Sequence, residues 1–173
     1  MNEADYKDYS SSFFAGLSGI TRTGESVASA DYNQDGRVSY AEAHGFAKVD
    51  EKTMDWPIST SEAWLQNQAS EADMALMSQE PIASFLSTAR PEQRYVVESL
   101  TAKLNFDPDA SFQSNYATLT ESQLENQVYS AYVMRLMMEL VNISMERKLR
   151  DRGDQIAIAE LEHLLKCESG SWQ

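Results

Sequence analysis

The chain has 173 residues, 42% of them hydrophobic and 24% charged, with a net charge of −13. That size allows one domain with a real core and an appended module. The negative balance argues against a nucleic-acid partner, because phosphate would be repelled, and no apolar run reaches membrane-spanning length. One cysteine, Cys167, excludes an intrachain disulfide without fixing the compartment.

The first residues, Met1 to Tyr6, are acidic and polar and lack the basic-then-apolar pattern of a secretory signal. As written, the chain reads as cytosolic. The other reading is a fragment or mature form whose export signal is missing, which would place it in the periplasm or outside the cell. Residues 1–30 read as weakly structured. Gly16, Gly19 and Gly24 are scattered there, and each glycine weakens a helix by about 1 kcal/mol relative to alanine. Only Glu25 to Ala30 is left to form a short helix ahead of the next segment.

That segment, Asp31 to Glu42, carries the most specific chemistry in the chain. Asp31, Asn33 and Asp35 place oxygen-bearing side chains at alternate positions. Gly36 follows where a sharp turn needs unusual dihedrals. Arg37 offers its backbone carbonyl, Ser39 a hydroxyl acting directly or through water, and Glu42 two carboxylate oxygens. Such a set of many oxygens at flexible distances suits Ca2+ better than Mg2+, which demands tight octahedral geometry and keeps its waters. The order resembles the EF-hand calcium loop, with ligands at positions one, three, five, seven, nine and twelve and glycine at six. Val38, at position eight, falls where EF-hands make a strand-like contact with a partner loop. The resemblance covers about Asp31 to Glu51 and implies one calcium ion per chain.

The helix leaving this loop is expected over Tyr40 to about Glu51, with Glu42 in its first turn, followed by a connector over Asp50 to Pro57. From Phe46 to Arg152 there is no glycine, and all four prolines lie in that span, each opening a helix or separating two. Ser59 with Glu62 forms a capping-box pattern ahead of Trp64 and Leu65; that helix runs to Met77 or breaks near Ser70. Pro81 opens a short helix with Phe85 and Leu86. Pro91 opens another, with Val96, Val97, Leu100 and Leu104 on one side. Asn105 to Pro108 is a turn, and Thr120 with Gln123 is a second capping box.

A long helix is expected from about Glu121 to Arg152, roughly 45–50 Å in length. Its middle (Val128, Tyr132, Leu136, Leu140 and Ile143, with Met134, Met137, Met138 and Met145) is apolar on more than one face. Such a helix is either the central element of a bundle or the seam of a homodimer or protein-partner contact through residues 124–149. Gly153 ends it, Asp154 caps the next helix, and Ile158, Leu161 and Leu165 form the apolar face of the last one. No β pattern of useful length and no internal repeat appears.

Two other constellations carry less. Asp107-Pro108-Asp109-Ala110-Ser111 begins with alternating oxygens but has Phe112 in place of glycine and Thr118 in place of the closing glutamate, so it is not a second loop. Glu160, His163 and Cys167 share one arc of the last helix; the matching second Glu-x-x-His of a di-iron bundle is absent, and they read as a surface edge. No catalytic set is evident.

The expected architecture is all-α: residues 1–56 with the single EF-hand, joined to a helical bundle over 57–173. The expected role is calcium-binding regulation or structure. A weaker resemblance widens the options. Asp31 to His44, followed by Thr60-Ser61-Glu62 and Leu65, is similar to segments downstream of the catalytic domain in some bacterial caspase-like or legumain-like cysteine peptidases. It implies a non-catalytic C-terminal portion of a longer protein, and no catalytic residue carries over. The third reading is a helical dimerising adaptor.

Overall fold

A computed structural model describes residues 7–171. Ten helices account for its regular structure: α1 (Tyr9–Ser18), α2 (Tyr40–Asp50), α3 (Thr60–Gln66), α4 (Glu71–Met77), α5 (Ile82–Phe85), α6 (Pro91–Leu104), α7 (Phe112–Tyr116), α8 (Glu121–Glu125), α9 (Gln127–Arg152) and α10 (Gln155–Glu168). Among the described residues there is no strand, only three isolated bridges. The all-α class follows from the sequence as expected.

Local chemistry sets most helix ends. Ser39, Ser59, Ser70 and Thr120 each accept from the N3 backbone while the N3 side chain returns to the cap, closing four capping boxes. Ser70 therefore divides α3 from α4. Pro91 opens α6 at its first turn. Gly153, with φ +67°, ends α9, and Asp154 accepts from Ile156 and Ala157 to start α10.

Two expectations are corrected. The first concerns the N-terminal region, where α1 is a formed helix and Glu25–Ala30 is not helical. Asp8 caps α1 through Ser11 N–H. Gly19, at φ +76°, ends it, and Gly16 lets it lie against α2, since a Cβ there would meet Phe46 at 3.1 Å. The glycines thus serve a cap and a close crossing, neither of which a propensity scale detects. After α1 the chain turns back through an Ile20–Ser26 bridge before reaching Asp31. The second correction concerns the helix expected over Glu121–Arg152, which breaks at Asn126. The Asn126 backbone is extended and its side chain accepts from Tyr129 N–H, while the Leu124 carbonyl accepts from Ser130 Oγ. The remaining α9 has 26 residues and is about 39 Å long at 1.5 Å per residue.

α9 is the centre of the bundle. It touches α3, α4, α5, α6, α8 and α10, and Leu136, Leu140 and Ile143 are fully buried with Leu65, Phe85, Leu100 and Leu161 around them. Arg135, also buried, donates to the carbonyls of Lys48 (3.1 Å), Thr53 (3.0 Å) and Asp55 (2.8 and 2.9 Å). It thereby ties the connector after α2 to the long helix. A second, small apolar cluster joins α1, the loop and α2: Ala15, Ala30 and Phe46, with Val27, Tyr32 and Val38 against them. No helix among the described residues is long and apolar enough to cross a membrane.

Candidate metal centre

The loop Asp31–Glu42 is closed by its own carboxylates. Asp31 accepts from Asp35 N–H through Oδ1 (3.1 Å) and from Gly36 N–H through Oδ2 (3.0 Å). Asn33 Oδ1 accepts from Asp35 N–H at 2.9 Å, and Asp35 Oδ1 from Arg37 N–H at 2.9 Å. These successive side chain-to-backbone turns wind residues 31–37 tightly. Two left-handed positions complete the winding. Gln34 has φ +60°, and Gly36 has φ +87°, a backbone that a side chain would strain.

Glu42 forms the floor. It lies in the first turn of α2 and is 2% exposed. Its Oε1 accepts from Tyr32 and Asn33 N–H (2.9 and 3.1 Å), and its Oε2 from Ser39 N–H and Ser39 Oγ (both 2.8 Å). One carboxylate therefore staples the start of the loop to its end and caps α2. All six sequence-selected residues fall on this loop. Asn33, Asp35 and Arg37 are exposed, and Asp31 and Ser39 are half-buried.

The donor chemistry suits a hard cation: three carboxylates, an amide oxygen, a carbonyl and a hydroxyl around one turn. Among the described residues, no three His, Cys, Asp or Glu side chains stand together as a formed metal cluster. The oxygens that complete this loop belong to Asn33, the Arg37 carbonyl and Ser39, outside those residue types. With four donors already on Glu42, a bidentate metal contact requires that some of these bonds, the Ser39 hydroxyl first, lengthen or turn away.

The loop's surroundings come from the bundle. Tyr32 stacks on Tyr95 of α6, with centroids 4.2 Å apart and planes at 17°. Val38, expected to meet a partner loop, packs into the cluster of Ala15, Ala30 and Phe46. Ser39 pairs with Ser171 as an antiparallel bridge, and Tyr40 N–H donates to the Gly170 carbonyl at 2.8 Å. Beside the loop opens a cleft of about 580 Å³ lined by Asn33, Asp35, Glu42, Arg90, Arg150 and Lys166, among others.

A second constellation, one helical turn along α2, escaped the sequence reading. His44 stands between Tyr9 Oη (2.7 Å from Nδ1) and Glu62 Oε2 (2.9 Å from Nε2). Lys48, fully enclosed, donates to both Glu62 and Glu139. Burial would depress the Lys48 ammonium, but Glu139 and Glu62 outweigh it and raise its pKa above the usual lysine value. Burial would likewise raise Glu62, yet Lys48 and His44 hold it below the usual carboxylate range. Glu139 shares only Lys48 at close quarters and faces the Glu62 charge, so burial prevails and its pKa is raised. Burial also pushes the Tyr9 phenol up to about 12. His44, Lys48, Glu62 and Glu139 line a cavity of about 20 Å³, the size of a single water. The set is joined by pairings across 14 to 91 positions in sequence, which no local pattern announces.

At the other candidate positions, Asp107 Oδ1 accepts from Asp109 N–H and Ser111 caps α7, an ordinary turn into a helix. Glu160, His163 and Cys167 lie exposed on α10. No family model, no curated protein and no solved structure matches the chain.

Proposed function

We propose that this protein binds one calcium ion in a single EF-hand loop, through Asp31, Asn33, Asp35, the Arg37 carbonyl, Ser39 and Glu42, and that the site serves a regulatory or structural role. The observation carrying this reading is the placement of Glu42. The residue at position twelve reaches under the loop to within 2.9 Å of Tyr32 N, so the closing carboxylate and the Asp31–Asp35 oxygens belong to one small turn. Gly36 at φ +87° supports it independently. Affinity should be modest, because residues 19–30, which hold no helix, separate α1 from the loop and leave the entering side without the usual rigid support.

The test is calorimetric titration of the wild type with calcium, with Asp31→Ala as control. Binding by the wild type and a marked weakening in the variant are expected. No heat of binding at millimolar calcium sinks the reading. The adaptor alternative gains less support, since the apolar residues of α9 that would form a seam are covered by helices of the same chain.

A further inference from the structure

A lone loop of this kind leaves one edge of its backbone without a partner, because the short strand-like stretch at positions eight to ten has no second loop to pair with. Here that edge is taken. Ser39, at position nine, bridges antiparallel to Ser171, and Tyr40 N–H donates to the Gly170 carbonyl at 2.8 Å. The contact is shaped as well as bonded. A Cβ on Gly170 would come 3.0 Å from Tyr40 Cε2 and 3.3 Å from Cδ2, so a side chain there would push the Tyr40 ring out of its place against the segment. The approach is held from behind by α10. Leu161 is fully buried in the bundle, and the Glu168 carboxylate accepts from Ser61 N–H (2.8 Å) and Ser61 Oγ (2.6 Å) at the start of α3.

The paired residues sit among the proposed ligands. Ser39 N–H and Oγ both donate to Glu42 Oε2, and Tyr40 lies between Ser39 and Glu42. Whatever fixes the backbone of residues 39–40 fixes two oxygens of the site, and whatever draws those oxygens onto an ion fixes that backbone.

We infer that residues 170–171 act as a built-in second strand for the loop, and that their docking and calcium binding are thermodynamically coupled. This rests on the calcium reading above. The coupling is reciprocal: a docked segment raises calcium affinity, and calcium holds the segment in place. It links the loop to α10 and, through Glu168, to α3.

The experiment compares the full chain with its Gly170→Val variant, which drives a side chain into the Tyr40 ring while leaving every proposed ligand intact. Calorimetry with calcium should show the variant binding about tenfold more weakly, within the usual range of such couplings, with an unchanged far-UV helical signal. A second measurement needs no variant: ¹⁵N relaxation of Gly170 and Ser171 in the wild type should show their backbone stiffening on calcium addition. Equal calcium affinity in wild type and Gly170→Val, or Gly170 and Ser171 amides indifferent to calcium, overturns the coupling while leaving the site standing. A wild type that does not bind calcium removes the site itself, and the coupling with it.

Discussion

Glu42 serves two purposes with one carboxylate, and they can be separated. It caps α2 through Ser39 and closes the loop through Tyr32 and Asn33. Glu42→Gln keeps the shape but removes the charge and replaces one acceptor oxygen with a donor. It should weaken calcium binding more than any other single ligand change. In EDTA it should also lower stability by about 1 kcal/mol through the damaged cap. Asp31→Ala should weaken calcium binding strongly, though less than Glu42→Gln, with a smaller effect in EDTA, because Asp31 does not cap α2. Calorimetry and urea denaturation of the two variants check the pair. Lys48 presents the opposite case, a residue with no part in the loop. Lys48→Met leaves Glu62 and Glu139 buried without their shared cation, and breaking a buried pair this way costs about 3–5 kcal/mol. The pH dependence has a definite sign. In the wild type, Glu62 lies below its ordinary value of 4.5, so its contribution is present above that pH and lost as acid protonates it. In Lys48→Met, Glu139 keeps its raised pKa with only Arg90 left to offset burial; the penalty of a raised carboxyl is absent below 4.5 and grows as pH rises above it. The stability gap between variant and wild type should therefore shrink from pH 7.5 to pH 4.5, and a gap that stays constant or widens contradicts this account.

Two glycines make the same point about elements. In α1, Gly16 faces Phe46, which a Cβ would approach to 3.1 Å; in α2, Gly45 faces α6, where the nearest atom, the Glu92 carbonyl oxygen, would lie 3.4 Å away. Gly45→Ala should fit with ordinary contact and stabilise by about 0.5–1 kcal/mol through helix propensity. Gly16→Ala should lose that gain or reverse it, because the Phe46 ring must move within the small cluster it anchors. Thermal melts of both variants decide, and equal stabilisation would show that the α1–α2 crossing is not set by Gly16. The contrast also explains what the sequence made legible. The capping boxes at Ser59 and Thr120, Pro91 at the head of α6 and Gly153 with Asp154 after α9 were readable because each acts within three or four residues of itself. α1 was not, because Gly16 and Gly19 look like helix breakers until Phe46 and the left-handed cap are in view. The Asn126 break was hidden in the same way: flanked by good helix formers, Asn126 gives no local sign that it caps Tyr129 and ends α8. The ligand order of the loop was plain from spacing, whereas the Lys48 cluster needed the packing of α2, α3 and α9 to exist at all.

At the scale of the whole molecule, the two apolar clusters are unequal, and that sets what calcium can do. The large one gathers α3 to α7, α9 and α10, together with Val49 at the end of α2. The loop packs into the small one through Tyr32 and Val38 and meets only the edge of the large one, where Tyr32 stacks on Tyr95. Ion pairs and carbonyl contacts from α9 hold α2 independently of the loop, through Lys48, Glu139 and Arg135. Removing calcium should therefore loosen the loop, the α1 side of α2 and the residues after α10, while the bundle persists. Binding to the native state alone contributes RT ln(1 + [L]/Kd), about 2.7 kcal/mol at a hundredfold excess over Kd. For a chain of this size that corresponds to a fall in melting temperature of about 5–10 °C on chelation. Far-UV circular dichroism with and without EDTA should show a helical signal nearly unchanged at room temperature and a melting curve displaced within that range. Complete loss of the helical signal in EDTA would mean that the loop, and not the Leu136–Leu140–Ile143 core, holds the fold together.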